Sequence, residues 1–284
     1  MNRIKTPRLM LIAAMTTFGT IGYFVRHIEA TSAQIALYRA LIAVVVLGGY
    51  LFFSKQGLSL KKVGKQLPLL GISGAVMGIN WILLFEAYKY TTVSVATLSY
   101  YFAPVIVTVV CPLLFKEKLT GKQILCFVMS TLGLVLITGI GGGGDNRLKG
   151  IAFGLGAAVF YACVVLMNKY IRDVDGIQRT FWQFIGAVVV LLPYVLLTDG
   201  VQLQISNVTG WASLLLLGVV HTGVCYCLYL SALKELPGQK AAILSYIDPL
   251  VAVLVSVLLL QEPITGWQIT GGLLILGFTL YNEL

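Results

Sequence analysis

Hydrophobic positions in this chain are gathered into long unbroken runs, and the polar positions are confined to the short stretches between them. Runs long enough to cross a bilayer as helices, about 17 to 25 residues each, lie near 9–25, 33–53, 67–87, 93–115, 121–139, 150–168, 178–197, 211–233, 239–260 and 265–281. In hydrocarbon a backbone satisfies its own hydrogen bonds, so such runs predict helices. The pattern therefore predicts an all-α membrane protein with ten transmembrane helices, in which very short turns join the third span to the fourth and the eighth to the ninth.

The polar punctuation repeats. The segment Leu98-Ser-Tyr-Tyr-Phe-Ala-Pro104 leads into Glu117-Lys-Leu-Thr-Gly-Lys-Gln123, and Leu244-Ser-Tyr-Ile-Asp-Pro249 leads into Glu262-Pro-Ile-Thr-Gly-Trp-Gln268. An offset of 145 residues aligns Tyr101 with Tyr246, Pro104 with Pro249, Glu117 with Glu262, Thr120 with Thr265 and Gln123 with Gln268. It also aligns Gly78 with Gly223, Ala87 with Ala232 and Lys89 with Lys234, while Ala43–Leu47 and Tyr50 match Ala187–Leu191 and Tyr194 at 144. The chain reads as a duplication: residues 1–140 form one five-helix repeat, 141–149 a glycine-rich linker and 150–284 the second repeat. Duplicated halves inside a membrane are a common scaffold for alternating-access transporters.

Composition agrees with a membrane setting. Hydrophobic residues make up 58% of the chain, charged residues only 11%, and the mean hydropathy is +0.91, whereas a soluble domain carries roughly 25% charged residues. The net charge of +9 is distributed by loop. Fifteen cations (Arg3, Lys5, Arg8, Lys55, Lys61, Lys62, Lys65, Lys116, Lys118, Lys122, Lys169, Arg172, Arg179, Lys234 and Lys240) fall on the N-terminal side, against Arg26, Lys89, Arg147 and Lys149 opposite. The excess predicts that both termini are cytoplasmic and explains the basic balance as topology rather than as a nucleic-acid footprint. An odd number of spans per half then makes the second repeat run upside down, an inverted pair with its pseudo-twofold axis in the membrane plane.

Several features read as structure. Arg3, Lys5 and Arg8 before an apolar run resemble a signal peptide, but that run has a partner at 150–168 and its removal would break the duplication. Cys111, Cys126, Cys163, Cys225 and Cys227 all fall inside predicted spans, as small apolar residues rather than a disulfide framework. The glycines of Gly139–Gly144 are not followed by Gly-Lys-Ser/Thr, which makes them a connector and not a phosphate loop. Gly71, Gly74 and Gly78 in one span and Gly150 and Gly154 in another are expected to let helices approach closely.

Function must reside in the few polar groups the spans retain, because an ionisable side chain at the centre of a bilayer costs at least about 2.5–3.5 kcal/mol. Three stand out: Asp248, about ten residues or roughly 15 Å into the ninth span, His221 at a similar depth, and Arg39 roughly 10 Å below the outer end of the second. Pro249 follows Asp248 and predicts a break there, freeing carbonyls beside a carboxylate suited to a cation or a proton. Pro104 duplicates the break without the acid, so the prolines read as hinges and the carboxylate as chemistry. The alternative is a buried Asp248–Arg39 pair, or a helix cap. Asn80, Trp81, Tyr100, Tyr101, Tyr161, Tyr226 and Tyr246 provide a polar and aromatic lining at similar depth, and Trp182 and Gln183 an inner vestibule. Aromatic faces hold flat rings or organic cations.

The two proline-containing spans, followed by Glu117-Lys-Leu-Thr-Gly-Lys-Gln123 and Glu262-Pro-Ile-Thr-Gly-Trp-Gln268, resemble the paired domains of the EamA branch of the drug/metabolite transporter superfamily over essentially the whole chain. The resemblance implies ten helices with cytoplasmic termini, a central cavity lined by spans 1–4 and 6–9 with spans 5 and 10 behind, and export or exchange of amino acids or other small solutes in the plasma membrane. The expected partners are a small-molecule substrate, the lipid bilayer and protons as coupling ion, with a monomeric or homodimeric protein and no nucleic acid. No cofactor or metal is expected. An intramembrane enzyme would need clustered acids for a metal, and Asp248 has no acidic neighbour in sequence. An uptake carrier or facilitator for an organic cation and a nontransporting sensor are the other readings.

Overall fold

The computed structural model describes residues 5–54, 63–115, 120–138, 145–171, 174–236, 241 and 244–284. The glycine connector at 139–144, Glu117, Asp173 and the loop cations Arg3, Lys55, Lys61, Lys62, Lys116, Lys118, Arg172 and Lys240 lie outside the described residues. Helices account for nearly all of the rest, in the order α1 (Lys5–Gly19), α2 (Ile21–Arg26), α3 (Ser32–Phe53), α4 (Leu67–Tyr90), α5 (Val93–Tyr100), α6 (Ala103–Phe115) and α7 (Gly121–Thr138). The second half contains α8 (Asp145–Tyr170), α9 (Gly176–Thr198), α10 (Val208–Leu216), α11 (Cys225–Glu235), α12 (Ile247–Leu258) and α13 (Gly266–Glu283), with a π-helical stretch at Leu217–Val224 joining α10 to α11. A 3₁₀ turn at Gly64–Gln66 leads into α4.

Among the described residues seven helical segments are long and apolar enough to span a membrane, and Gly121–Ile137 and Ile247–Leu258 are shorter apolar helices. Large apolar side chains point outward, with Phe52, Leu197 and Val208 more than four-fifths exposed. That exterior suits lipid and not water.

Helix starts follow local chemistry. Thr120 Oγ1 accepts the Gln123 amide N–H at 3.2 Å while Gln123 Oε1 accepts that of Thr120 at 2.8 Å. Thr265 and Gln268 repeat the arrangement at 3.3 and 2.9 Å. The duplicated Thr-Gly-x-Gln is thus a capping box that opens α7 and α13, satisfying donors that a helix start leaves orphaned.

Three predicted spans are interrupted rather than continuous. α1 gives way to α2 at Thr20, α5 to α6 at Tyr101–Phe102, and the segment entering α12 turns at Tyr246. In the second and third cases a proline lies just after the turn: Pro104 and Pro249 occupy the first turn of the following helix, where their missing N–H would have had no intrahelical acceptor. The breaks therefore precede the prolines instead of falling on them.

α4 lies at the centre, packed on α8, α9 and α3, while α7 and α13 pair with each other to one side. Glycine allows the closest of these contacts. A Cβ on Gly186 of α9 would lie 2.7 Å from the Gly71 carbonyl oxygen of α4, and one on Gly133 of α7 would lie 2.6 Å from that of Gly271 in α13. No larger residue fits either position without moving a helix. Gly74 and Gly78 face α9, whereas Gly150 and Gly154 face the Thr91–Ser99 stretch.

Candidate functional site

The turns bring the polar residues of distant spans to a common level. Asp248, half-buried in the first turn of α12, accepts a hydrogen bond at 2.7 Å from the Tyr101 hydroxyl at the α5–α6 break. Tyr101 stands edge-on to Tyr100, with ring centroids 6.1 Å apart, and Tyr100 in turn packs on Tyr161 of α8 at 5.4 Å. The backbone of α1 approaches from another side, where a Cβ on Gly19 would sit 2.6 Å from the Asp248 carbonyl oxygen. Ion pairs among the described residues join Arg26 to Glu262, Lys89 to Glu86 and Lys234 to Asp175, and Asp248 takes part in none of them.

A second row of rings runs alongside. Phe18 of α1 contacts Tyr226 at 5.4 Å and Tyr229 at 6.3 Å; Tyr226 meets Phe184 at 5.3 Å and Phe184 meets Trp81 at 5.3 Å. Arg39 lies at the end of this row with its guanidinium carbon 4.6 Å from the Trp81 ring centroid and 5.6 Å from that of Phe85. Its Nε donates to Thr222 Oγ1 at 2.6 Å, and the residue is 3% exposed. Arg39 thus forms no pair with Asp248: its charge is met by ring faces and a hydroxyl.

Other candidates are occupied as joints. Asn80 donates to the Ala157 carbonyl at 2.6 Å, tying α4 to α8. The Gln183 amide nitrogen donates to Ser73 Oγ at 2.7 Å and Asn168 Oδ1 at 2.8 Å, tying α9 to both. His221 has contacts at both ring nitrogens, Nε2 with Thr20 Oγ1 at 2.8 Å and Nδ1 with the Leu216 carbonyl at 3.1 Å. A carbonyl only accepts, so Nδ1 carries a proton in this arrangement. The Leu216 contact spans five residues, as does that from Thr222 Oγ1 to the Leu217 carbonyl, matching the π-helical winding. Trp182 packs beside a separate cluster of Val63, Leu70, Ile171 and Val174, and its indole N–H has no hydrogen-bond partner among the described residues. Tyr246 occupies the turn before α12.

Phe18, Thr20, Thr222, Phe184 and Tyr229 join this neighbourhood without having been singled out in the sequence. Helical spacing places them among ordinary apolar or small residues; the packing of α1 on α11 brings in Phe18 and Tyr229, Thr20 meets His221, and α9 and the π-helical stretch bring in Phe184 and Thr222. The described residues include no group of three or more His, Cys, Asp or Glu able to hold a metal ion.

Among the described residues, an all-helical, oil-coated bundle with a carboxylate and tyrosines packed between its helices defines a polytopic membrane protein. The EamA-like transporter family model matches the chain twice, at residues 6–139 and 148–282. The protein belongs to that family. It is 29% identical over 253 residues to "Uncharacterized transporter YxxF" of Bacillus subtilis (strain 168), covering 88% of this chain and 80% of that one. Over 172 residues it is 29% identical to the "Probable amino-acid metabolite efflux pump" of Escherichia coli (strain K12), covering 57% and 58%. A solved crystal structure 17% identical in sequence superposes with a TM-score of 0.65 over 97% of this chain and 96% of its own, a likeness of fold.

Proposed function

We propose that the protein is a secondary-active transporter that exports or exchanges a small amphipathic, amine-bearing metabolite such as an amino acid across the plasma membrane by alternating access. In this reading the spans form two inverted five-helix repeats, 1–140 and 150–284 joined by 141–149, with both termini cytoplasmic and the chain working alone or as a homodimer. The observation that carries the reading is Asp248, a half-buried carboxylate held by Tyr101 among tyrosines, with no ion-pair partner among the described residues. An uncompensated carboxylate at that depth is costly unless it meets a positive charge. A substrate ammonium supplies one and a proton removes the need, so both serve as cargo or coupling ion.

Arg39 favours a second reading. With its guanidinium engaged by Thr222, Trp81 and Phe85, it does not present a free cation to a substrate carboxylate. A monocationic organic amine then fits as well as a zwitterion, with the tyrosine faces holding its apolar part.

Purified protein in liposomes, offered labelled amino acids and organic cations with and without a pH gradient, separates the readings. Gradient-dependent accumulation of an amino acid supports the first, and selective flux of organic amines lacking a carboxylate supports the second. Asp248→Asn is expected to abolish flux while leaving folded protein in the membrane, and normal transport by that variant would remove the central claim. Absence of flux for every solute would favour a nontransporting sensor.

A further inference from the structure

Glu262 is part of the duplicated motif, yet neither the Asp248 site nor the capping boxes use it. Its carboxylate is the junction of three helices from both halves of the chain. Oε1 accepts from Arg26 Nη2 at 2.7 Å, and Oε2 accepts from the Val93 backbone N–H at 2.7 Å and from the Ser256 hydroxyl at 2.6 Å. The same Arg26 nitrogen donates to the Thr91 carbonyl at 2.7 Å, and the Ser94 N–H donates to Ser256 Oγ at 3.2 Å. The C-terminal end of α2, the N-terminal end of α5 and the C-terminal end of α12 are thereby fastened at one point.

These three helices are the pieces that lie beyond the breaks. α2 begins after Thr20, α5 ends at Tyr101 and α12 begins after Tyr246, all beside the Asp248 level, while the Glu262 junction holds their other ends. Arg26 lies six residues past Thr20, Val93 eight before Tyr101 and Ser256 eight past Asp248, separations of about 9 to 12 Å at helical rise. α12 packs against both α2 and α5, and Gly22 of α2 lies directly on the Val93 side chain. Each piece is jointed near the carboxylate and tethered at the far end.

The backbone at the junction carries a second mark. Gln261 has φ of 53°, the positive-φ non-glycine residue among those described. That left-handed turn, with the Glu262 N–H bonded to the Ser256 carbonyl at 3.0 Å, folds Glu262 back over α12 toward Arg26 and Val93. Residues held in such conformations persist where surrounding contacts over-determine them, and they concentrate at clamps and switches.

We propose that α2, α5 and α12 form a gate over one end of the Asp248 site and that Glu262, with Arg26, is its latch. Swinging the pieces about Thr20, Tyr101–Phe102 and Tyr246 opens the site at that end once the carboxylate releases its donors. The inference rests on the transport reading for the meaning of the opening but not for its detection.

The test places a reporter cysteine at Thr97, which is 4% exposed on α5 between the latch and Tyr101, in a chain whose native cysteines are alanine. A control cysteine replaces Ala36, fully buried in α3. Maleimide labelling of the purified full-length protein in detergent is followed for the latched chain and for Glu262→Ala and Arg26→Gln. Removing charge-assisted hydrogen bonds favours the open form, so labelling at Thr97→Cys is expected to speed up at least about tenfold in Glu262→Ala and by a smaller factor in Arg26→Gln. The control position is expected to stay protected. Unchanged labelling at Thr97→Cys overturns the proposal, as does equal acceleration at both positions, which would make Glu262 a support of the whole fold. Faster labelling in a protein that moves no solute would leave the gate standing and remove the transport reading instead.

Discussion

Tyr101 and Asp248 form the contact on which the site turns, and each is placed by a break in its own span. Because the Tyr101 hydroxyl is a neutral donor to a carboxylate at 2.7 Å, Tyr101→Phe removes one hydrogen bond but leaves the ring. Hydrogen bonds to charged groups contribute about 1.5–3 kcal/mol, so half-saturation for an amine substrate is expected to rise about tenfold or more while transport persists. Liposome flux measured against substrate concentration checks this, and loss of all activity would mean that the hydroxyl does more than hold the carboxylate. Arg39 belongs to the same scale with a different role. Arg39→Lys keeps the charge but loses the planar group that spreads over Trp81 and Phe85 while donating to Thr222. The expected result is a lower melting temperature with substrate selectivity unchanged, and altered selectivity would show that Arg39 touches the cargo.

At the scale of elements, the repeated motif divides into parts with separate physical roles. Thr265 and Gln268 start α13 by reciprocal capping, so Thr265→Ala is expected to cost about 1 kcal/mol of stability, as substitutions at caps do. A melting curve that does not move would show that packing alone fixes that start. α7 and α13 touch at Gly133 and Gly271 with no room for a side chain. Gly133→Leu should destabilise the protein by about 1–3 kcal/mol through overpacking, read as an earlier thermal transition. The loops at one end carry a pH-dependent tie. Glu29 accepts from the Ser206 hydroxyl at 2.6 Å, from the Ser206 N–H at 3.0 Å and from Asn207 at 3.1 Å. The Ser206 hydroxyl, then its backbone N–H, with a smaller part from Asn207, hold the Glu29 carboxyl below its ordinary value of 4.5 against the opposing effect of burial. A depressed carboxylate contributes its stability above the unfolded value and loses it as pH falls through the folded one. Protection of the Ser206 amide from hydrogen exchange is accordingly expected to be constant near neutral pH and to fall in the acid range below 4.5; protection that persists there would remove Glu29 as its cause.

For the whole molecule, the proposed ten crossings would put the two ends of the chain on one side, which the excess of loop cations assigns to the cytoplasm in that reading. Protease-cleavable tags at the two termini are expected to be cut together from the cytoplasmic face of inside-out vesicles and spared in intact cells. Cutting of only one would require an odd number of crossings. Loops on one side are joined by Arg26 to Glu262, Thr31 to Asp199, and Gln34 to the Gly200 and Gln202 carbonyls. These bonds link segments 165 or more residues apart in the sequence.

Apolar run length by itself determined that the protein is a helical membrane protein and roughly where its spans lie, because hydrocarbon leaves the backbone little other choice. The same runs carry no information about which faces meet. That Gln183 and Asn80 are joints between helices, that Arg39 stacks on Trp81 instead of pairing with Asp248, and that Phe18 joins the rings were decided by packing. Glycine spacing hinted at close approach but not at the partner. Proline pointed to the interruptions at Tyr101–Phe102 and Tyr246, since a residue without an N–H is best placed in the first turn of a new helix, but it did not fix them, because Pro193 lies inside α9 with no break. The break at Thr20 has no such signal and became legible only where α1 and α2 pack against the π-helical stretch through His221. Glu262 is the clearest division: its repetition was visible along the chain, but its role at the junction of α2, α5 and α12 exists only where residues more than 160 apart are brought within hydrogen-bonding distance.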